Sequence, residues 1–590
     1  MSRFAGEKAL IGVAAIGLGA APLLVAPFTV TLLNYVGIGA IVALGLVLLT
    51  GFGGLTSFGQ ASLVGIGAYS TAWLTTRAGA DPWLGLVLAL CLTGTTAAVL
   101  GAVTLRLGGH FLPLSTVAWG IAIYFLFGNI PGLGYHDGIK EIPPLSLGGA
   151  SLASSFAIYY LIWALLGASM WLISNLLDSR EGRAIRSLRG GATMIASLGV
   201  NLFRIRLVIF VMAAMLAGLA GWLYAHMNRY VSPSPFEVRP SIEYLLMAMV
   251  GGATSIYGAV VGAAVVTLLK NFFQDVLPHV SKNAGQLEIV AFSILLILIL
   301  QHARGGVMSA MRRFAQQKPA PPPPAHTPRL RRRLQPAAGT ALLTVDGAVK
   351  RFGGLLAVNA VSFEVKAGEI VALIGPNGAG KSTMFNLITG AQRPSAGRFT
   401  FLGQDITNLP QRKIAAAGIA RTFQHVKLRP AMTLLDNVLL GTYVRTRAGF
   451  ALGASRLDRA EEAQATAEAL RQLERVGLAG KSQYHAGSLP LGSQRMLEVA
   501  RALAADPVLI VLDEPAAGLR RAEKDALAGQ LRGLKDDGVT ILIVEHDMEF
   551  VMGLVDRVVV MDFGAKLTEG LPNEVRTNPI VQEAYLGGVV

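Results

Sequence analysis

The pattern of apolar and polar positions divides the chain into two halves. Residues 9–301 consist of long apolar runs, and their length is typical of helices that cross a membrane. After Leu342, short apolar runs alternate with helical patterns of ordinary charge density, which is typical of a soluble α/β domain. The stretch between the halves carries eight Lys or Arg and no acid, and Pro321–Pro324 within it favours an extended spacer. We therefore expect a membrane domain (1–301), a basic, proline-rich linker (302–341) and a soluble domain (342–590).

About eight membrane passes are predicted. The basic linker and a second basic stretch, residues 178–206, are expected in the cytoplasm. An even number of spans before residue 178 places the basic N-terminus on the same side. The run 241–269 is interrupted at Gly251–Gly258, and each flank is too short for an ordinary span of about 20 residues. We expect a broken or re-entrant helix pair there, buried in protein. The predicted spans are 9–27, 28–49, 51–76, 83–104, 111–130, 156–177, 207–226 and 287–301.

The composition agrees with a membrane protein. Hydrophobic residues make up 53% of the 590 residues and charged residues 15%, which is too apolar for a wholly soluble chain. The net charge of +15 suits anionic lipid or nucleic acid, and the position of the charge beside apolar runs favours lipid. The apolar pattern after Lys8 continues to Leu49, which favours an uncleaved span over a signal peptide. Cys91 is the single cysteine, so the chain has no disulfide framework.

A glycine-rich loop in the soluble half has the pattern of a phosphate loop. It reads GPNGAGKST, follows the apolar run Ile370–Ile374 and precedes a helical pattern. Its glycines allow backbone N–H groups to surround the phosphates, Lys381 neutralises charge, and the Ser382 hydroxyl reaches Mg²⁺. A turn that only joins strand to helix is the alternative, and the combination of strand, spacing, lysine and serine argues against it. The predicted phosphate-binding residues are Gly375, Pro376, Asn377, Gly378, Ala379, Gly380, Lys381, Ser382 and Thr383.

Two carboxylates end a second apolar strand, Leu509–Pro515. Asp513 lies at its carboxyl end, where open α/β sheets bind ligands, and we expect it to hold the metal directly or through water. Glu514 is expected to polarise the attacking water as general base. An acid pair in this position can also be only a helix cap, but the phosphate loop disfavours that interpretation. Gln424 and His546 are ordinary polar residues when taken alone, and the order of the motifs makes them informative.

This order resembles the ATPase domain of ABC transporters. The resemblance implies that Phe352 stacks on adenine, that Gln424 senses Mg²⁺ and the membrane domain, and that His546 holds the γ-phosphate. It makes Glu514, His546 and Gln424 catalytic, and Ser382, Asp513 and Gln424 the metal-binding residues. It also implies a signature motif that grips the ATP of a second ATPase. The matching residues are Leu489, Pro490, Leu491, Gly492 and Ser493.

The signature motif departs from the usual Leu-Ser-Gly-Gly-Gln. Pro490 lacks a hydroxyl and an N–H, although proline is well tolerated around a helix start. Gly492 and the helix N-terminus remain available to a γ-phosphate. The next loop also departs from the usual pattern, with Arg520 and Arg521 after Leu519. We expect a weakened site toward the partner's ATP, whereas the residues for this chain's own ATP are intact.

The resemblance extends to one family of transporters. Gly418–Gly441 and Glu569–Gly588 resemble the ATPase subunit of branched-chain amino-acid importers. Leu48–Leu74, Ser179–Asn201 and Tyr230–Ala263 resemble a permease subunit of the same importers. The implied fold is an α-helical transmembrane permease domain followed by an α/β P-loop ABC ATPase domain. The arginine-rich stretch Ser179–Asn201 would be the coupling helix that seats near Gln424. The alternative is a basic loop on lipid headgroups.

The glycine-rich segment after Leu48 has two readings that stay open. It combines glycines with Thr56, Ser57, Gln60 and Ser62, which suits either tight helix packing or a discontinuous helix along a polar path. The spans carry few ionisable residues and suggest neither a proton relay nor a fixed counter-ion. A net-neutral substrate moved by ATP fits this pattern.

The family implies an ATP-driven importer component of the bacterial inner membrane for branched-chain or related neutral amino acids, with ATP and Mg²⁺ as cofactors. Its partners would be a second permease, a second ABC ATPase, a periplasmic or lipid-anchored substrate-binding protein and membrane lipid, without nucleic acid. The alternatives are the same machine for urea, amides or small carboxylates, a homodimeric half-exporter, and an anchored ATPase acting on nucleic acid. Short cytoplasmic segments before the linker argue against the exporter, and the many passes argue against the last alternative.

Overall fold

The structure is a computed structural model that describes residues 17–106, 111–280, 290, 293–294, 297–298, 301, 305–308 and 327–586. Its contacts divide the chain into two units. The first lies within Met1–Leu177 and Phe203–Gln316, and the second within Asp178–Leu202 and Gln317–Val590. The segment Asp178–Leu202 therefore folds with the C-terminal half, although in the sequence it lies between apolar helices.

Among its described residues, the first unit consists of helices, their connections and one short hairpin, β1 (Ser146–Leu147) and β2 (Ala150–Ser151). The α-helices between residues 27 and 280 are α1 (Pro27–Leu46), α2 (Gln60–Arg77), α3 (Pro82–Thr104), α4 (Phe111–Asn129), α5 (Ser155–Leu177), α6 (Arg180–Ser187), α7 (Ala192–Ser197), α8 (Leu202–Asn228), α9 (Val238–Gly252) and α10 (Ile256–Val280). Of these, α6 and α7 belong to the second unit. In the described residues, six segments are long and apolar enough to cross a membrane: Pro27–Phe52, Pro82–Thr104, Phe111–Asn129, Ser155–Leu177, Leu202–Asn228 and Ile256–Val276.

Most of the predicted spans correspond to helices. In the predicted span 51–76, residues 51–52 end a π-helical turn and the α-helix begins at Gln60, because residues 53–59 leave the helical path. Residues 17–24 of the span 9–27 are helical, and its first part lies outside the described residues. Most of the span 287–301 also lies outside them, as does Pro321–Pro324. The number of passes stays a prediction.

The predicted break is present between α9 and α10, at residues 253–255. The expectation that each flank is too short to cross is wrong for α10, which has 25 residues. The predicted run ends at residue 269, directly before Lys270. In the structure its ammonium pairs with Glu243 of α9, so the helix continues past the charge.

The membrane helices approach one another closely at small residues. A Cβ built on Gly221 of α8 would lie 2.0 Å from the backbone oxygen of Val64 in α2, and one on Gly51 would lie 1.5 Å from the oxygen of Ala253. This supports the packing reading of the glycine-rich segment, since only small residues permit such contact. The same segment is also discontinuous. A π-helical turn at Val47–Phe52 follows α1, and the buried Gln60 amide makes no hydrogen bond within the described residues.

The C-terminal region forms two sheets. The first is antiparallel, in the order β4-β3-β6-β7, and the second has the order β12-β11-β5-β10-β9-β8, parallel except for the β11–β12 pair. The strands are β3 (Ala341–Phe352), β4 (Leu355–Lys366), β5 (Ile370–Ile374), β6 (Ala396–Phe401), β7 (Gln404–Asp405), β8 (Ile419–Arg421), β9 (Leu509–Asp513), β10 (Thr540–Val544), β11 (Arg557–Asp562) and β12 (Ala565–Gly570). Strands β5, β9 and β10 are buried throughout, as expected of a parallel sheet covered on both faces.

Helices cover these sheets and enclose three apolar clusters. One cluster lies between the two sheets, and another between the parallel sheet and its outer helices. The third is helical and contains Leu330 from the predicted linker. The helices are α11 (Lys381–Ile388), α12 (Gln411–Ala417), α13 (Leu434–Leu439), α14 (Phe450–Ser455), α15 (Arg459–Arg475), α16 (Leu491–Ala504), α17 (Arg521–Asp536), α18 (Met548–Met552), α19 (Pro572–Thr577) and α20 (Pro579–Leu586).

The glycine contact between α2 and α8 is testable. We expect Gly221→Ala to destabilise the membrane unit, because the new methyl group meets backbone atoms of α2 that cannot rotate away. Overpacking of this kind costs about 1–3 kcal/mol. Gly167→Ala is the matched control, since nothing lies within 4 Å of a Cβ at that position in α5. The measurement is thermal unfolding of each purified chain in one detergent, and equal midpoints for the two variants would contradict the prediction.

Candidate nucleotide site

The order of the parallel strands brings the predicted motifs to one edge of the sheet. Strand β10 pairs with β5 on one side and with β9 on the other, and β8 pairs with β9. The carboxyl ends of all four strands therefore meet at the same edge, which is where open α/β sheets bind ligands. The phosphate loop follows β5, Asp513 ends β9, and Glu545 and His546 follow β10. Gln424 lies three residues beyond β8.

The phosphate loop turns from β5 into α11 through glycines in the left-handed region. Gly380 has φ +92, and a Cβ there would lie 2.4 Å from the oxygen of Ala357. Lys381 begins α11, and its ammonium donates to the oxygens of Gly375 (2.7 Å) and Pro376 (2.8 Å). Burial lowers the pKa of Lys381, and the nearby Glu514 opposes that shift. The lysine is thus held by the loop itself, with its charge directed toward the loop's interior.

Asp513 is a buried carboxylate with an oxygen that has no partner. It is 7% exposed, and its Oδ1 makes no hydrogen bond within the described part of the chain. Burial raises the pKa of Asp513 to about 6; Arg421 partly offsets this effect and Glu514 adds to it. A buried acceptor without a donor is costly. Its position at the same sheet edge as the phosphate loop therefore fits a carboxylate that can bind a cation.

Glu514, Gln424 and His546 lie together. The Gln424 amide donates to Glu514 Oε2 over 3.0 Å, and His546 Nδ1 lies 3.8 Å from the same oxygen. Glu514 adopts φ +45, a region that non-glycine residues enter rarely and that is often found at functional sites. Its backbone N–H donates to the oxygen of Val544 in β10, which fixes the strained residue next to the following strand.

Glu545 is a residue whose role the sequence did not reveal. It is fully buried, and its carboxylate accepts backbone N–H groups from Ala516 (2.8 Å) and His546 (3.0 Å). It therefore joins the loop after β9 to the loop after β10. Its position directly before His546, at the end of an apolar strand, is a sequence feature that could have indicated a role in the site. The spacing of the motifs assigned it no function of its own.

The remaining predicted residues occupy different surroundings. Ser382 is exposed on the first turn of α11, next to Lys381. Phe352 is 43% exposed at the end of β3, with the Lys350 ammonium 5.0 Å from its ring centroid. The following strand, β4, brings Ala357 against the phosphate loop.

The signature residues form the start of α16, as the sequence predicts. Pro490 is the exposed residue before the helix, and Leu489 is buried beneath it. A Cβ on Gly492 would lie 2.7 Å from Glu523 Oε1 on α17. The Glu523 carboxylate also accepts the N–H of Arg520. The loop with Arg520 and Arg521, whose sequence departs from the usual pattern, therefore packs beside the signature residues. The start of α16 carries no side-chain cap.

A cavity borders the phosphate loop. It has a volume of about 560 Å³ and is lined by Pro376, Asn377 and Gly378 together with Phe563 and residues of α20. The C-terminal tail thus reaches the nucleotide-binding loop, which the sequence did not predict.

The segment Asp178–Leu202 is held by charged side chains of the second unit. Arg183 is 4% exposed and makes a bidentate pair with Glu462, with both N–O distances 2.8 Å. The Arg180 guanidinium lies 3.6 Å from the ring centroid of Tyr443 and donates to the Tyr443 oxygen. Paired, buried arginines with this geometry indicate a specific protein contact, and the lipid-headgroup alternative leaves them unexplained.

The turn between α6 and α7 lies next to the loop that follows Gln424. A Cβ on Gly190 would lie 3.3 Å from Cδ of Arg429, five residues after Gln424. Arg186 pairs with Asp436 of α13 at 3.3 Å. Burial lowers the pKa of Arg429, and the charge of Arg189 adds to the shift.

Residues 327–341 of the linker are also anchored within the second unit. Leu330 is buried in the helical cluster, and the backbone N–H of Arg333 donates to Asp506 Oδ2 over 2.6 Å. The Arg445 guanidinium donates to the oxygens of Leu330 and Arg331, each at 3.2 Å.

Comparison with known proteins matches both halves of the chain. The sequence model described as "Branched-chain amino acid transport system / permease component" matches residues 28–300. The models "ABC transporter" and "Branched-chain amino acid ATP-binding cassette transporter" match residues 358–517 and 565–590.

Two curated relatives cover the ATPase half. "High-affinity branched-chain amino acid transport ATP-binding protein LivG" of Salmonella typhimurium is 45% identical over 251 residues, 42% of this chain and 98% of the relative. The corresponding protein BraF of Pseudomonas aeruginosa is 43% identical over 249 residues, 42% of this chain and 98% of the relative. The crystal structure of a nucleotide-free ATP-binding cassette from an ABC transporter is 32% identical and covers 42% of this chain and 100% of its own, with a TM-score of 0.38.

The fold and the matched regions define an ABC transporter: a helical permease part and an α/β ATPase part that binds and hydrolyses ATP. The chain belongs to the branched-chain amino-acid transporter family and joins permease and ATPase in one polypeptide. It is a membrane protein with a cytoplasmic ATPase part and a component of a multi-subunit transporter.

The raised pKa of Asp513 predicts a stability difference with a defined sign. In the folded chain the carboxyl keeps its proton to about pH 6, whereas its ordinary pKa is 3.8. The native state therefore binds more protons between these values, and the free energy of unfolding falls as pH rises through that window. Asp513→Asn removes the buried charge. We expect it to stabilise the nucleotide-free chain at pH 7.5 by about 1–3 kcal/mol and by less than half of that amount near pH 4.5, which lies low in the window.

Thermal unfolding at both pH values measures this effect. Asp525→Asn on the exposed face of α17 is the control for the loss of one carboxylate, and its midpoint should follow wild type at each pH. A midpoint for Asp513→Asn at or below wild type at pH 7.5 would contradict the prediction.

Proposed function

We propose that this chain supplies one permease and one ATPase of an importer that moves branched-chain or related neutral amino acids across the bacterial inner membrane. The observation that carries the proposal is the cluster of Gln424, Glu514 and His546 at the sheet edge that also holds the phosphate loop. The names of the curated relatives support the cargo, since they describe branched-chain amino-acid transport.

ATP is proposed to bind with its phosphates along Gly375–Thr383 and its adenine on Phe352. The residues present fit Mg²⁺, because Asp513 Oδ1 is a buried acceptor without a donor and Ser382 lies one residue after the loop lysine. Gln424 completes the proposed metal set. When bound, Mg²⁺ would neutralise charge on the phosphate oxygens.

Glu514 is proposed to act as the general base. Its Oε2 accepts the Gln424 amide, so the carboxylate is oriented before the water arrives. His546, which lies within 3.8 Å of the same oxygen, is proposed to donate to the γ-phosphate. Glu545 is proposed to act as a positioning residue, because its carboxylate accepts backbone N–H groups from the loop of Glu514 and from the loop of His546.

Residues 178–202 are proposed to couple the ATPase to the permease. This segment joins two apolar helices in the sequence and yet folds with the ATPase, so a change in the ATPase shifts its anchored arginines. Gly190 beside Arg429 supports a path from the Gln424 loop to this segment.

One chain provides half of a two-permease, two-ATPase machine. We propose a second permease, a second ABC ATPase and a periplasmic or lipid-anchored substrate-binding protein as partners. The signature of this chain, with Pro490 and Ser493, would act on the ATP of the second ATPase. This chain's own site would face the partner's signature, which makes the two sites unequal.

Reconstitution tests the transport function. In liposomes with its second permease, second ATPase, substrate-binding protein and ATP, the chain is expected to take up labelled leucine, whereas the chain alone takes up none. Glu514→Gln should bind ATP and lose hydrolysis by about 10²-fold or more, because only the water-polarising group is removed. Glu549→Gln, an exposed carboxylate on α18, is the control.

Uptake, phosphate release and retained nucleotide are measured on the same vesicles. Hydrolysis by Glu514→Gln within a few-fold of wild type would refute the base assignment. A wild-type complex that accumulates urea or an amide but no leucine would refute the proposed cargo.

The coupling role is tested by exchanging the charges of the buried pair. We expect Arg183→Glu and Glu462→Arg each to abolish the stimulation of ATPase by the loaded binding protein. The double exchange should restore much of it, because breaking one partner of a buried ion pair costs about 3–5 kcal/mol and the exchange re-forms the pair. The surface pair Arg475–Asp537 in the same unit is the control, and its exchange should leave stimulation unchanged. Full stimulation in either single variant would contradict the role.

A further inference from the structure

A cavity in the membrane unit is lined by two residues of opposite charge, Glu243 and Lys270. It has a volume of about 400 Å³, within the range of small-molecule pockets, and is enclosed by α1, α8, α9 and α10. Glu243 of α9 and Lys270 of α10 line it from one side, and residues of α1 from Phe28 to Gly39 line it from the other.

The two charged residues that line this cavity form an ion pair. The Lys270 ammonium donates to both oxygens of Glu243, at 2.9 and 3.1 Å. Arg239, one turn before Glu243, places its Nε 3.6 Å from Oε1. The side chains of Lys270 and Glu243 are 36% and 16% exposed, so both are reachable from the cavity.

An ion pair between two helices of the membrane unit requires a physical explanation. Ionisable residues inside membrane helices are costly, usually face an internal or water-filled cavity, and mark substrate pathways. For stability alone, well-packed apolar residues serve as well as an ion pair or better. The pair links α9 to α10, and the polar Asn271 and Gln274 of α10 line the same cavity.

We propose that this cavity binds a zwitterionic α-amino acid during its passage through the permease. The inference rests on the proposed function and identifies a binding site for its substrate. The ligand's ammonium binds Glu243 and its carboxylate binds Lys270, in place of the bond between the two side chains. Every charge then keeps an opposite partner, so the exchange avoids leaving an unpaired ion in a membrane helix.

The other walls suit an aliphatic side chain. Leu32 and Ile38 of α1, Met247 of α9 and Val266 of α10 line the cavity. A neutral amide or urea offers no full charge to either Glu243 or Lys270. A lone amine or carboxylate satisfies one of them and leaves the other without its partner. The arrangement therefore favours neutral amino acids that carry both charges.

The test uses the complete reconstituted complex with labelled leucine. Glu243→Gln and Lys270→Gln should each lower leucine uptake at least about tenfold, while ATPase stimulated by the loaded binding protein stays within twofold of wild type. ATP hydrolysed per leucine moved should therefore rise. Asp275→Asn, an exposed carboxylate on α10, is the control for charge loss on the same helix.

The exchange Glu243→Lys with Lys270→Glu separates binding from structure. If the side chains at positions 243 and 270 bind the ligand, uptake should stay low in this exchange. The ligand's ammonium and carboxylate would change places, and its aliphatic chain would point away from the apolar residues that line the cavity. Full recovery in the exchange, uptake unchanged in the single variants, or loss of assembly with the second permease would each overturn the inference. If the wild-type complex moves no leucine at all, the proposed function fails; if wild type and variants move it equally, only this inference fails.

Discussion

The hydrolytic chemistry depends on the parallel pairing of β10 between β5 and β9. That pairing brings three strand ends, far apart in the sequence, to one edge of the sheet. The phosphate loop, the Asp513–Glu514 pair and His546 are neighbours for this reason. The strands are fully buried, so their register cannot shift by one residue without moving polar side chains into the core. Backbone hydrogen bonding in the sheet thereby sets the geometry of the site.

Charges in apolar surroundings follow one rule in both units. Arg183 with Glu462, and Lys270 with Glu243, are paired because an unpaired buried ion is costly. Asp513 departs from this rule, since one of its oxygens has no partner in the described chain and its pKa is raised by burial. A buried carboxylate without a partner raises the free energy of the folded chain, and binding of a cation there would lower it.

The sequence predicted much of the fold and the main motifs, and the reasons for its failures are physical. The phosphate loop and Asp513 were readable because the chemistry requires particular residues directly after particular strands. Glu545 was not, because its function lies in hydrogen bonds to backbone groups of a distant loop. The apolar run was expected to end at residue 269, but α10 continues past Lys270 to Val280, and the partner of that charge on α9 is known only from the folded chain. The segment 178–202 was expected to contact the ATPase, but only the folded chain shows which charges hold it.

The stretch Tyr443–Arg445 is where the separate contacts of the second unit meet. Tyr443 stacks against Arg180 of the segment 178–202, and its hydroxyl donates to Glu181. Arg445 donates to Leu330 of the linker and to the oxygen of Ala504 at the end of α16. Helix α16, which starts with the signature residues, therefore ends against Arg445, which also binds the linker. Arg445 lies two positions after Tyr443, which binds residues 178–202. Because Arg445 also pairs with the buried Glu468 of α15, one side chain connects α15, the end of α16 and the linker.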